Sequence, residues 1–244
     1  KLNLEGKEAD IEKYCSMLEN MGRLGVKLLC YNFMYPGWYR THKSLPERGG
    51  ATVSGFNYEA SQKEPISKYA PISETQLWEN YQYFIEQVMP VAEANGVKMA
   101  LHPDDPPISP IHGISRILTS ADAIRKALSF SNSPSHGLTF CQGTYTTMGE
   151  DVEALIYEFA QRIHFIHIRD VTGTAENFRE TFHDNGPTDM FKMMKAYKAI
   201  GFEGPLRSDH VPTMAGENNE HVGYEMKGNL FGIGYIKGLM DALR

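Results

Sequence analysis

The stretch Val97-Lys98-Met99-Ala100-Leu101-His102-Pro103-Asp104-Asp105-Pro106-Pro107 decides the fold. Upstream of it, Ser73 to Asn95 reads as an amphipathic helix. It opens on a Ser73-x-x-Gln76 capping box and stops before Gly96. A helix ending in Asn-Gly-Val and running straight into an apolar segment is the usual connection from helix to strand. Val97 to Leu101 is short and nearly all apolar, the pattern of a strand covered on both sides, as in a parallel sheet. At its carboxyl end stand a histidine and two carboxylates, where α/β sheets and barrels assemble their sites.

The same unit recurs along the chain. Val26 to Phe33, Gly137 to Cys141, Ile163 to Ile168 and Pro205 to Asp209 read as further strands. Helices are expected over Asp10–Leu24, Ser120–Leu128, Asp151–Gln161, Thr188–Ile200 and Met226–Leu243. Strand–helix alternation means an α/β fold with a parallel sheet, either a closed barrel or an open doubly wound sheet. No Gly-x-Gly-x-x-Gly follows a strand, which argues against a dinucleotide-binding sheet. A closed (β/α)8 TIM-type barrel needs about three strands more than these five. The chain opens at Lys1 without an initiator Met, so the expectation is one barrel domain over 1–244 seen without its N-terminal strands. The segment 35–71 breaks the alternation. With Gly49-Gly50 and four prolines it reads as an irregular excursion, either functional or poorly ordered.

Composition narrows the function classes. In 244 residues the formal net charge is −6, which gives no electrostatic reason for nucleic-acid binding. The apolar runs are far shorter than a membrane span. Three cysteines, Cys15, Cys30 and Cys141, make no disulfide framework and point to a reducing compartment, the cytoplasm.

Chemistry collects at the strand ends. These read Tyr31-Asn32-Phe33, His102-Pro103-Asp104-Asp105, Cys141-Gln142-Gly143, His167-Ile168-Arg169-Asp170 and Ser208-Asp209-His210. Four of the five place a metal-capable side chain at or just past the last apolar residue, and His102, Cys141, His167 and Asp209 would together make a four-ligand site. Each has a plainer reading: a structural strand-end histidine, a core cysteine, a turn-capping aspartate. That reading weakens because the four fall one per consecutive strand. His164 and His167 are three apart and point to opposite faces of a strand. His167, nearer the carboxyl end, is the expected ligand, and His164 the structural one. A carboxylate and a thiolate balance a divalent cation, and two imidazoles complete the set. Asp104 and Asp105 could orient His102 or bind substrate hydroxyls. Arg169 could clamp a substrate carboxylate bidentately, or simply sit in a rim salt bridge.

With these residues assembled, the chain resembles the mannonate dehydratases of the xylose-isomerase-like barrel group. The resemblance rests on Cys30-Tyr31-Asn32-Phe33-Met34, Lys98 to Pro107, Gly137 to Cys141, Ile163 to Arg169, Gly204 to His210, Gly223-Tyr224 and Gly232 to Leu239. The run His102-Pro103-Asp104-Asp105-Pro106-Pro107 is its most specific element. Gln142 departs from the family habit of a small hydroxyl residue there, and Asp170 from that of Asn. The resemblance implies a divalent metal, usually manganese, on His102, Cys141, His167 and Asp209. Iron(II) or cobalt(II) would substitute, and zinc, which thiolate and imidazole favour, could occupy the site. It further implies dehydration of D-mannonate to 2-keto-3-deoxy-D-gluconate in hexuronate catabolism, by a homodimer.

Dehydration takes the proton at C2, beside the carboxylate, and expels the C3 hydroxyl. The resemblance puts Tyr224 and Asp209 into the proton transfers, and His210 lies near enough in sequence to share them. Asn32, Asp104 and Arg169 are the expected substrate contacts. Two other readings stay open at this stage. One is a metal-dependent sugar isomerase or epimerase on the same barrel, though such sites usually rest on Glu and Asp rather than Cys. The other is a non-catalytic sugar-acid-binding paralogue.

Overall fold

The computed structural model describes residues 1–244. In chain order its elements are α1 (Lys7–Arg23), β1 (Leu28–Asn32), β2 (His42–Pro46), β3 (Thr52–Asn57), α2 (Tyr58–Ser61), α3 (Glu74–Ala94), β4 (Lys98–His102), α4 (Ala121–Ser129), β5 (His136–Cys141), α5 (Gln142–Met148), α6 (Val152–Glu158), β6 (Ile163–Ile168), β7 (Val171–Thr174), β8 (Asn177–Glu180), α7 (Met190–Ala199), β9 (Leu206–Ser208) and α8 (Met226–Asp241). The strands form a five-stranded sheet in the order β1-β4-β5-β6-β9 and a four-stranded sheet in the order β2-β3-β8-β7.

Two compact units divide the chain. The first comprises Lys1–Trp38, Pro65–Phe140 and Gln161–Phe165. Its strands pair in parallel, with Cys30 opposite Ala100 and Leu101 opposite Leu138. Helix α3 explains how this unit is covered. Ser73 caps it in the expected reciprocal box with Gln76, which satisfies donors that a helix start leaves orphaned. Leu77, Tyr81, Ile85, Val88 and Ala92, spaced four, four, three and four apart, are buried along one face. Thr139 would leave a hydroxyl stranded inside the sheet, but it donates to the Ala100 carbonyl at 3.0 Å.

The second unit comprises Tyr39–Glu64, Cys141–Ala160 and Ile166–Arg244. Here the end of β6 pairs in parallel with β9, Ile166 opposite Leu206 and Ile168 opposite Ser208. The antiparallel sheet belongs wholly to this unit. Its β7–β8 hairpin turns through Ala175-Glu176, and Gly173 has φ 119° where a Cβ would meet the Asn177 carbonyl at 2.2 Å.

All five expected parallel strands and all six expected helices are present, with ends shifted by a few residues. The antiparallel sheet is the correction. The segment 35–71, read as irregular, contains β2, β3 and α2, and β7 and β8 follow β6 where no strand is expected. His42-Lys43-Ser44-Leu45-Pro46 and Asn177-Phe178-Arg179-Glu180 carry too few apolar residues to register as strands. No helix is long and apolar enough to cross a membrane.

Candidate functional site

The ends of the parallel strands position the expected ligands. Cys141 is the last residue of β5, His167 the penultimate residue of β6, and Asp209 the first residue after β9. The Asp209 N–H donates to the Ile168 carbonyl at 3.0 Å, which carries the strand pairing one residue further. All three are buried. His102 ends β4, is half-buried, and has Nδ1 2.7 Å from the Pro103 carbonyl oxygen. One ligand atom from each of Cys141, His167 and Asp209, all in the second unit, falls within 4.8 Å of the other two, while His102, the remaining expected ligand, belongs to the first unit. The set combines two imidazoles, a thiol and a carboxylate, and in deprotonated form it balances the charge of a divalent cation. These residues fit a metal, and they could hold one.

Asp209 is the electrostatic hub. Burial alone would raise its pKa, but the charges of His210, His167 and Arg169 outweigh this and hold it well below the usual carboxylate range. Its Oδ2 lies 3.5 Å from His167 Nδ1 and 3.6 Å from His210 Nε2. Its Oδ1 accepts from the Tyr224 hydroxyl at 3.2 Å and lies 3.4 Å from Arg207 Nη2. Tyr224 is in turn 3.5 Å from His210 Nε2. The loop backbone sets this triangle. His210 has φ 48°, a left-handed conformation uncommon for a side-chain-bearing residue. Val211 N–H donates to Gly223 O at 2.8 Å, tying the segment that carries Tyr224 to the end of β9.

Arg169 is fully buried and already committed. Its Nε and Nη2 form a bidentate pair with Glu180 at 2.8 and 2.7 Å, and Nη1 donates to Thr144 Oγ1 at 3.1 Å and to Cys141 Sγ at 3.7 Å. The carboxylate that Arg169 grips in this structure is that of Glu180. Asp104 is likewise buried, and its Oδ2 accepts the Leu118 N–H at 2.8 Å, so it braces the loop after β4. Burial raises its pKa, against the pull of Arg116 and the backbone donors of Leu118 and Ile117. Asn32 ends β1 with Oδ1 accepting from Lys1 Nζ at 2.8 Å. Sequence reasoning missed Glu180, Arg40 and Thr144. Glu180 lies in a strand that gave no signal, whereas Thr144, three residues past Cys141, was findable as a neighbour on the following helical turn.

Comparison with known proteins identifies relatives of the chain. The family model described as D-mannonate dehydratase (UxuA) matches residues 1–67 and 59–244. A mannonate dehydratase from Endomicrobium trichonymphae is 36% identical over 278 aligned residues, covering 99% of this chain and 76% of the relative. One from Thermotoga maritima is 36% identical, covering 100% of this chain and 78% of the relative. The crystal structure of mannonate dehydratase from Streptococcus suis serotype 2 superposes with a TM-score of 0.92 at 34% identity, over 99% of this chain and 73% of that one. A D-tagatose 3-epimerase-like protein shares the fold alone, with a TM-score of 0.62 at 13% identity, over 99% of this chain and 72% of that one. A family match across the whole chain, together with relatives above 30% identity, settles the relationship: the chain belongs to the D-mannonate dehydratase (UxuA) family.

Proposed function

We propose that this chain is a divalent-metal-dependent hydro-lyase that converts D-mannonate to 2-keto-3-deoxy-D-gluconate and water. The observation that carries the reading is the convergence of Cys141, His167 and Asp209, within a chain of this family, on one set of ligand atoms within 4.8 Å, with His102 proposed as the fourth ligand. The reaction breaks the C2–H bond, whose electron pair forms the C2–C3 double bond as the C3–O bond breaks. The departing hydroxide takes a proton to leave as water, and the resulting enol tautomerises to the 2-keto acid. A bound divalent ion supplies Lewis-acid stabilisation of the charge that develops beside the carboxylate.

The chain's own residues supply the proton handling. Asp209, held ionised, accepts from Tyr224 and so orients the hydroxyl. Tyr224 and His210, 3.5 Å apart, are the pair placed to divide the base and acid roles. The likeness to epimerases is one of fold only, at 10–15% identity. Manganese is the proposed metal, with iron(II) or cobalt(II) as substitutes and zinc as a competing occupant. Homodimerisation, a cytoplasmic location and a place in hexuronate catabolism complete the proposal.

The test is turnover of D-mannonate by metal-stripped protein resupplied with manganese. Manganese-dependent appearance of the 2-keto-3-deoxy acid is the expected result. A product that keeps all its oxygen would mean isomerisation, and bound metal without product would mean a binding protein. Either outcome overturns the dehydratase reading.

A further inference from the structure

A buried ion cluster stands behind Cys141. Glu180 Oε1 accepts from Arg169 Nη2 at 2.7 Å and from Arg40 Nη2 at 2.8 Å and Nε at 3.2 Å, while Oε2 accepts from Arg169 Nε at 2.8 Å. The side chains of all three residues are at most 1% exposed. Two guanidinium groups share this one carboxylate in a place where charge is costly to bury, and each is held there by more than one hydrogen bond. Cys141 Sγ lies 3.7 Å from Arg169 Nη1. Thr144 completes the link, because its hydroxyl accepts from Arg169 at 3.1 Å and donates to Sγ at 3.2 Å. A separate observation shows that the chain makes room for this arrangement. A Cβ on Gly143 would lie 2.7 Å from Arg169 Cγ and 2.9 Å from Cδ, so only glycine lets the arginine pass.

We infer that Arg169 and Thr144 are positioning residues for the Cys141 sulfur, clamped in place by Arg40 and Glu180 and given clearance by Gly143, and that they tune the metal affinity of the centre. The inference rests on the metal-dependent reading above. It replaces the expected role of Arg169 as a substrate clamp, and it gives the antiparallel sheet a purpose: β8 delivers Glu180, and the residue two before the start of β2 is Arg40. Donors to a ligating sulfur orient its lone pairs and offset its charge, and losing such an outer partner typically costs 10- to 100-fold in metal affinity.

Cobalt(II) titration of the metal-stripped full chain tests this, read by the sulfur-to-cobalt charge-transfer band and by competition with a chelator. Thr144→Val, which deletes the hydroxyl at nearly constant shape, is expected to weaken cobalt binding roughly 10- to 100-fold and to shift or diminish the band. Thr144→Ser should restore both. Gly143→Ala, which displaces Arg169 without touching the sulfur, should act in the same direction as Thr144→Val. Circular dichroism of the metal-free variants separates these effects from unfolding. Wild-type affinity and band in both folded variants would overturn the inference while leaving the metal centre intact. Absence of any band in the wild-type chain would overturn the metal reading and this inference with it.

Discussion

Strands β5 and β6 each carry reactive side chains at both ends, and the two ends behave oppositely. At the amino ends, His136 and His164 are buried, and burial pulls both pKa values down to about 4. His136 has Nε2 3.1 Å from the Tyr81 hydroxyl. The ring of His164 lies where a Cβ on Gly137 would come within 2.3 Å. Both are neutral imidazoles used for packing. At the carboxyl ends, Cys141 accepts from Thr144, and His167 stands 3.5 Å from the ionised Asp209. A histidine in a strand is thus not a ligand by residue type. What distinguishes His167 from His164 is a carboxylate within reach and a loop that returns to meet it.

The largest effect should come from attacking the carboxyl end directly. Cys141→Ala is expected to remove metal and to lower turnover by more than the roughly 100-fold that loss of an outer partner costs. His164→Gln, three residues from a ligand, should leave metal content and turnover per folded molecule close to wild type. Metal analysis of the two variants side by side decides the matter. Equal metal loss in both would erase the distinction between the two ends.

Next in size is Tyr224→Phe, which removes one hydroxyl and nothing from the ligand set. Turnover should fall roughly 10²- to 10⁴-fold, the usual worth of a general acid or base, with metal content unchanged. A variant with near-normal turnover would take Tyr224 out of the proton transfers. Metal loss would instead show that its hydrogen bond to Asp209 chiefly holds the ligand.

The amino ends make a prediction about pH. Both histidines have folded-state values below the unfolded value of about 6.5, so between that pH and about 4 the unfolded chain binds more protons. Their contribution is therefore complete above pH 6.5 and drains away as pH falls toward 4, at most about 3 kcal/mol for each. Urea midpoints measured with excess chelator should fall across that window, and fall less in His164→Gln. A midpoint independent of pH there would mean that the two rings are not held neutral by burial.

The difference between what was and was not legible follows the same division of the molecule. Val97–Leu101 and Ile163–Ile168 are continuous apolar runs, so period and length alone identify them as buried parallel strands. The residue at or next to the carboxyl end of each run is then placed at a site by topology. That is how His102, Cys141, His167 and Asp209 could be grouped with no structure in hand. The sheet β2-β3-β8-β7 offers no such signal. In β8 only Phe178 and Glu180 are buried, and a buried Glu reads in sequence as a surface one. Glu180 is explained by Arg40, 140 positions away, and by Arg169. Long-range charge pairing leaves no periodic trace, so the side chain that immobilises Arg169 could not be found from spacing.

Gln142 offers the smallest and sharpest test of how local the carboxyl-end chemistry is. It follows a ligand directly and departs from the family's habit of a small hydroxyl, so sequence alone suggests altered chemistry. The structure turns its amide elsewhere. Oε1 accepts from the Tyr197 hydroxyl at 3.0 Å, and Nε2 lies 3.2 Å from Met190 Sδ, both residues of α7. The residue is fully buried, so the amide serves helix packing and takes the hydrogen bond of a buried hydroxyl. Gln142→Ser restores the family pattern but removes the buried hydrogen bond between Tyr197 and the amide, at a cost of about 1–3 kcal/mol in stability. Turnover per folded molecule and metal content should stay at the wild-type level, as measured by active-site-normalised rates beside thermal unfolding. A gain or loss of turnover at unchanged stability would show that position 142 reaches the substrate after all, and that the functional end of β5 extends one residue beyond its ligand.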